Sequence, residues 1–452
     1  MTESSNQTAL EQAFSKVLSP FQNFIEEQKS SSIILISATV LALMLANSEW
    51  AQHYSDYLHY QIGLLVGQQP YAMSFKHWVN DGLMAIFFFV IGVEIKRELL
   101  AGEIRDIKKS APILVAALGG MLVPALFYFA LTFDTAYASG WGIPMATDTA
   151  FAIGVLALLG ARIPISAFAF ITALAIVDDL GAIVVIALFY TESIQLAYLY
   201  IAAVILLLLI LANAVGLRRP SVYILGGVAM WLAMLVSGIH ATVAGILVAA
   251  TIPARSSKEP DWFIKRIKKL LHRFERIESG KQAEVKILEQ KEQHQVVENV
   301  LDAAHQASTP LKRWENALRH PVALLVMPIF AFTNAGVSLD DLSLAGIVAQ
   351  PLSLAIMLGL VLGKCLGISL FAWLAIKLGM GELPEGLTIR HIIGLSFLCG
   401  IGFTMSIFIA GMSFGGNEEL LAMAKIAILI ASTVSGVLAY AWLYVVSLGQ
   451  DS

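Results

Sequence analysis

The chain has 452 residues, of which 58% are hydrophobic and only 14% charged, with a formal net charge of -4 and a mean hydropathy of +0.75. That composition excludes a soluble domain and predicts an all-α polytopic membrane protein. Cys365 and Cys399 both fall in apolar runs and the nine histidines are scattered, so neither a disulfide framework nor a ligand-spaced metal site is indicated.

Residues 1–30 are polar and of mixed charge, without the basic start, apolar stretch and small-residue cleavage site of a signal peptide. They are expected to form a cytoplasmic segment ahead of a retained first span. About 20 apolar residues suffice for a helix to cross the hydrocarbon core. Twelve such helices are predicted, near 32–47, 79–96, 110–131, 142–160, 164–190, 195–216, 221–236, 239–253, 320–337, 351–377, 389–412 and 419–447. The eighth is short and starts almost directly after its predecessor. The division is thus 31–253 for the first eight spans, 254–319 for a charged insertion and 320–448 for the last four.

Two connections stand out. Residues 51–78 carry Tyr54, Tyr57, Tyr60, Tyr71, Phe75 and Trp78 around a Gly67-Gln-Gln-Pro70 turn signal, which fits an interfacial hairpin and an aromatic belt equally well. Residues 254–319 mix fourteen basic with ten acidic side chains and show helical periodicity around Val285 to Val300. A solvated cytoplasmic helical excursion is expected there, and the interspersed signs argue against nucleic-acid or lipid binding. Basic residues concentrate in the even-numbered connections, from Lys96 and Arg97 through Arg162, Arg218 and Arg219 to Lys377 and Arg390. The positive-inside rule then puts those connections and both termini in the cytoplasm.

The chemistry sits inside the spans. Asp178 and Asp179 are adjacent in an apolar run, Ile163 to Thr191, that holds no other charged residue. One carboxylate at mid-membrane costs roughly 2.5–3.5 kcal/mol on insertion scales, so a tandem pair implies a use. In a low-dielectric site their ionised forms repel, and a cation and protons then compete for the same oxygens. Ion and proton exchange follows; interhelical hydrogen bonding and a passive water cavity are the plainer readings. In Gly140-Trp-Gly-Ile-Pro-Met-Ala-Thr-Asp148, Gly142 and Pro144 weaken the helix just before Thr147 and Asp148. A matching disruption occurs in Leu398-Cys-Gly400-Ile-Gly402-Phe-Thr404-Met, although Gly400 and Gly402 also suit close packing alone. Paired interruptions of this kind point to a midplane transport site. Lys364 lies too deep to reach either surface, so it is expected to pair with an acid or to face helix C-termini, whereas Lys425, near a helix end, is expected to snorkel. Glu94 and Glu98 share a helix face at i, i+4 beside Lys96 and Arg97, as a solvated helix end or a regulatory one would.

The ordered series Asn80-Asp81, Gly92-Val-Glu-Ile-Lys-Arg-Glu-Leu, Ala146-Thr-Asp148, Ala173-Leu-Ala-Ile-Val-Asp-Asp-Leu-Gly-Ala, Ser237-Gly-Ile-His-Ala-Thr, Phe332-Thr-Asn-Ala-Gly-Val, Gly363-Lys-Cys-Leu-Gly and Cys399-Gly-Ile-Gly-Phe-Thr-Met-Ser resembles the NhaA-type sodium/proton antiporters from about Ser30 to Leu448. That family is itself an established case of the broken-helix arrangement. The resemblance implies an inverted repeat, helices 3–5 against 10–12, whose fourth and eleventh members are broken and cross at mid-membrane. It implies that Asp179 and Asp178 bind Na+ or Li+, with Asp179 the more direct ligand and Thr147 a neighbour. Asp148 and Lys364 would offset the partial charges of the half-helix ends, with Lys364 also pairing Asp178. A pH response through Glu94, Glu98 and Glu315, with Arg313 beside them and His240 near the opposite surface, is implied as well. So are electrogenic exchange of cytoplasmic Na+ for external H+, activated at alkaline pH, with no cofactor, in a bacterial inner membrane, by a homodimer joined through the external hairpin. One departure is an insertion of about fifty residues after Pro253, beyond which Lys312-Arg-Trp-Glu315 resumes. Three competing readings of the same residues remain. An intramembrane aspartyl protease would use Asp148 with Asp178 or Asp179, but the chain lacks the Gly-x-Gly-Asp motif of such enzymes. A sodium-coupled solute symporter would share the broken helices, and a retinal protein would use Lys364 as a Schiff base.

Overall fold

The computed structural model describes residues 20–66, 69–102, 107–191, 194–279, 291–338 and 344–448. Among them, nine helices are long and apolar enough to cross a membrane, and two bent helix pairs bring the count to eleven. In chain order these are α1 (Pro20–Ala46), bent by 113° into α2 (Ala51–His59); α3 (Phe75–Ala101); α4 (Ile107–Thr132); the interrupted segment Ala138–Leu158, whose second half is α5 (Thr149–Leu158); α6 (Ile165–Phe189); α7 (Leu196–Ala214) and α8 (Pro220–Ser237). After the insertion come α12 (Pro310–Ala335), α13 (Pro351–Lys377), α14 (Ile389–Cys399) bent by 46° into α15 (Phe403–Phe414), and α16 (Glu418–Leu448).

The expected eighth span is mostly irregular at its start. Residues Gly238–Thr242 are not helical, and the helical part, α9 (Val243–Thr251), has nine residues. Gly238 adopts φ 84°, a left-handed helix cap that ends α8 and lets the chain reverse. A hydropathy window runs over such a break because it is only five residues long between apolar stretches on both sides. Lys96 Nζ donates to Ala250 O and Ile252 O, both at 2.6 Å, capping the exposed end of α9.

Between α1 and α3, β1 (Gln61–Val66) and β2 (Gln69–Ser74) form an antiparallel hairpin in which Gln61 pairs with Ser74 and Val66 with Gln69; its tip, 67–68, lies outside the described residues. Trp78 Nε1 donates to Ile62 O at 3.0 Å and stacks on Trp231, which ties the hairpin to α8. The insertion folds as a pair of packed helices, α10 (Pro260–Ser279) and α11 (Lys291–Ala307), around Leu270, Val296 and Ala303. The periodic stretch expected at Val285 to Val300 thus falls partly in α11 and partly, at 285–290, outside the described residues.

Close packing positions the centre. A Cβ on Gly119 of α4 would lie 2.3 Å from Gly367 O, and one on Gly367 of α13 would lie 2.2 Å from Gly119 O, so these helices touch backbone to backbone. One turn before Gly367, beyond a π-helical turn at Gly359–Gly363, α13 presents Lys364 to the interior. The aspartate helix α6 is packed by α3, α4, α5 and α14. Lys425 does not snorkel. It is 6% exposed, because the second turn of α16 is buried, with Met423, Ala424 and Ile426 beside it, although the helix starts at exposed Glu418 and Glu419.

Candidate functional site

The fourth span unwinds where its sequence weakens it. Residues Ala138–Met145 form a 3-10 turn series containing Pro144, Ala146–Asp148 are extended, and α5 begins at Thr149. The bent pair α14–α15 opens at Gly400–Gly402. The two openings cross and satisfy each other's backbone: Asp148 N donates to Ile401 O at 2.7 Å, Thr147 Oγ1 to Cys399 O at 2.9 Å, and Ser406 Oγ to Ile143 O at 2.8 Å. Unwound backbone persists in an apolar medium only with such partners. A Cβ on Gly400 would lie 2.5 Å from Leu360 O, so Gly400 serves the break and the close packing together.

Asp148, 1% exposed, caps both half-helices at this crossing. Its Oδ1 accepts from Phe151 N at 3.1 Å, and its Oδ2 accepts from Thr404 N at 3.2 Å and Thr404 Oγ1 at 2.5 Å. A negative charge is thereby set against two helix N-termini, where the backbone dipole favours it. This fully hydrogen-bonded carboxylate shares no proton with a second aspartate, which removes the geometric basis for a protease dyad.

Lys364 is fully buried and its Nζ lies 2.6 Å from Oδ2 of Asp178, itself 1% exposed. Among the described residues the other oxygen, Oδ1, makes no well-formed hydrogen bond, while the backbone and hydroxyl of Thr147 lie close enough to the carboxylate to favour its charge. A buried carboxylate oxygen left without a donor is costly unless a proton or cation visits it. Asp179, on the next residue of α6, is 7% exposed, with Asp178, Glu94, Asp148 and Lys364 as its charged surroundings. With Asp179 itself, four acids stand near one lysine and supply oxygen donors, the ligand type that suits a hard cation. Among the described residues, no group of three His, Cys, Asp or Glu side chains could hold a metal ion; a site for Na+ would combine carboxylate, hydroxyl and carbonyl oxygens instead.

At the far end of α3 a second cluster forms. Arg97 Nη2 is 2.6 Å from Glu98 Oε1 and Arg97 Nε is 3.3 Å from Glu315 Oε2, while Lys312 Nζ binds Glu315 Oε1 at 2.9 Å. Glu315 and Glu98 are buried, and Glu94 lies within electrostatic reach of Glu315, Arg97, Lys312 and Arg319. Arg313 is not brought into this network; Lys312 takes the place expected for it, one residue earlier, because the i, i+3 spacing on α12 turns Lys312 toward Glu315. His240 sits in the break after α8, its Nε2 2.8 Å from Tyr190 O at the end of α6.

Two contacts have no counterpart in the sequence reading. Thr404 lies inside one of the motifs, yet nothing in its spacing shows that its hydroxyl reaches Asp148, 256 residues away. Tyr190 receives Gly142 N at 3.2 Å on its hydroxyl and donates that hydroxyl to Ser139 O at 2.9 Å, pinning the 3-10 half of the broken span to α6. A tyrosine closing an apolar helix beside an interrupted one is the available signal.

Residues 22–443 match the family described as Na+/H+ antiporter 1. The chain belongs to this family. It is 46% identical to the Na(+)/H(+) antiporter NhaA of Sulfurimonas denitrificans over 96% of this chain and 97% of that protein. Na(+)/H(+) antiporter NhaA 1 of Saccharophagus degradans is 44% identical over 96% of this chain and 93% of its own length, and the NhaA of Koribacter versatilis 47% identical over 93% and 90%. Similarity over nearly the whole length carries all the motifs above within one match, and these relatives are named as antiporters rather than enzymes.

Proposed function

We propose that this protein is a transporter, not an enzyme, that exchanges cytoplasmic Na+ or Li+ for external H+ at Asp178 and Asp179, with Thr147 as a neighbouring oxygen ligand. The observation that carries this reading is the buried aspartate pair at the crossing of two broken helices, with Asp178 Oδ1 uncommitted and Lys364 already held on Oδ2. A cation arriving between Asp178 and Asp179 displaces protons from them, and protons arriving from the other side displace the cation. Release of one proton from Asp179 and a second from the Asp178–Lys364 pair for each bound Na+ moves net charge in each cycle, which makes exchange electrogenic. At acid pH protons hold both carboxylates, and activity therefore rises toward alkaline pH. Asp148 keeps the two helix N-termini compensated through the cycle, and Lys364 does the same for Asp178 whenever Na+ is absent.

The cluster of Glu94, Arg97, Glu98, Lys312 and Glu315 lies on the end of α3 and the start of α12, where a change of ionisation alters the attraction between two helices. It is our assignment for a cytoplasmic pH response, with His240 at the opposite end. The basic connections support an orientation with both termini cytoplasmic, and the family membership supports a bacterial inner-membrane location. The β1–β2 hairpin has open edges suited to pairing with a second copy, which supports a homodimer joined there.

The test is reconstitution in sealed vesicles with an acid lumen. Adding Na+ or Li+ outside should raise lumenal pH, without any organic solute, and K+ should not. A folded, reconstituted protein that moves protons only when a solute is supplied is a symporter, and the exchange mechanism is then wrong.

A further inference from the structure

The insertion's charges are interspersed along the sequence, but the fold sorts them. On α10, Phe263, Ile267, Leu270, Phe274 and Ile277 recur every three or four residues and form the stripe that packs with Val296, Val300 and Ala303. Two positions after successive stripe residues, on the opposite side of the helix, stand Lys265, Lys269, His272 and Arg276, with Lys268 and Arg273 beside them; all are exposed. Six Lys and Arg fall between Lys265 and Arg276, against Asp261, Glu275 and Glu278 on the whole of α10, whereas α11 carries Glu292, Glu298 and Asp302 against Lys291. Exposed Ile264 and Leu271, 51% and 53% accessible, flank the basic face about one turn to either side of Lys268.

The root of the hairpin is fixed. Leu311 N donates to Pro253 O at 3.1 Å where α9 ends and α12 begins, and Ser257 N and Lys258 N both donate to Gln306 O, at 3.0 and 3.1 Å. The basic helix therefore starts a few residues from the point where the chain leaves the membrane-spanning part, on the side that the positive-inside rule makes cytoplasmic. Clusters of four to eight Lys and Arg on an amphipathic helix next to a span suit anionic headgroups, whose field acts within a screening length of about 8 Å.

We propose that α10 docks on the anionic headgroups of the cytoplasmic leaflet, with Lys265, Lys268, Lys269, Arg273 and Arg276 toward the phosphates and Ile264 and Leu271 at the acyl boundary. Charge complementarity selects this occupant, and the mixed apolar and basic edge distinguishes it from a purely electrostatic nucleic-acid face.

The docking readout is independent of transport. Leu271→Cys in the full-length protein is labelled with an environment-sensitive fluorophore, the native Cys365 and Cys399 being buried. The protein is placed in lipid discs of phosphatidylcholine alone or enriched in phosphatidylglycerol, each containing a chain-brominated quencher lipid. Quenching should be severalfold stronger in the anionic discs and should fall in about 1 M salt, where the screening length is about 3 Å. Replacing Lys265, Lys268, Lys269 and Arg273 together by Gln should abolish the difference, and Lys269→Gln alone should weaken docking about fivefold. Sodium-dependent exchange by the same variants confirms that they are folded. Equal quenching in both lipids, quenching indifferent to salt and to the four substitutions, or protection only after adding nucleic acid or a soluble protein overturns the proposal.

Discussion

Removing Lys364 is the perturbation whose consequence the geometry defines best. Lys364→Ala leaves Asp178 without its ammonium partner on Oδ2, in a site 1% exposed. Breaking one partner out of a buried ion pair typically costs 3–5 kcal/mol, because an uncompensated charge remains. The orphaned carboxylate can escape by taking up a proton. At pH 7, protonating an ordinary aspartate costs about 4 kcal/mol, which bounds the destabilisation at about that value. The folded variant then binds one proton more than its unfolded chain, so its deficit shrinks by about 1.4 kcal/mol for each unit that pH falls toward the ordinary aspartate value. The sign is specific: the variant should be weakest at alkaline pH and approach the parent in acid. Replacing both partners, as Asp178→Asn with Lys364→Met, should recover most of the stability while leaving no transport. Thermal melting of detergent-solubilised protein between pH 8.5 and 5.5 reads this directly. Should Lys364→Ala melt with the parent at alkaline pH, or lose ground as pH falls, the pairing is not the stabilising element described.

Three further outcomes are expected. Asp179→Asn and Asp178→Asn should each abolish sodium-dependent proton movement in vesicles, with Asp178→Glu less damaging because the charge survives. Tyr190→Phe removes the donor to Ser139 O and the acceptor for Gly142 N; leaving one buried amide without a partner costs about 1–3 kcal/mol, so amide exchange over residues 138–145 should accelerate relative to α6. Glu94→Gln and Glu315→Gln should move the pH midpoint of exchange while leaving its maximum mostly intact; profiles that overlay the parent at low and saturating sodium would show that competition at the aspartates accounts for the pH dependence alone.

Much of the architecture is legible in the sequence because a bilayer imposes long apolar runs and forbids lipid-exposed irregular backbone. Gly142, Pro144, Gly400 and Gly402 therefore mark both broken spans without any geometry. The short α9 is not legible, since Gly238 and His240 are two residues in a stretch that stays apolar on average. Lys425 departs from expectation for a related reason: the exposed end at Glu418 and Glu419 does not decide the fate of a side chain seven residues on, where the helix is buried at Met423, Ala424 and Ile426. The partner of Lys364 lies 186 residues away, and no periodicity reports a contact at that separation; only resemblance supplies it. The insertion shows the reverse case, in which mixed charge along the chain conceals one basic helix and one acidic helix.

The central claim is that Na+ and protons occupy the same carboxylates, and sodium binding to the purified protein tests it without any membrane gradient. Calorimetric titration with Na+ across a series of pH values, repeated in buffers of different ionisation enthalpy, gives both affinity and protons released. The account predicts that binding releases protons and that affinity weakens by about tenfold per pH unit for each competing proton as the medium becomes acid, with no sodium binding by Asp179→Asn. Sodium binding of constant affinity across that range, without proton release, would contradict it.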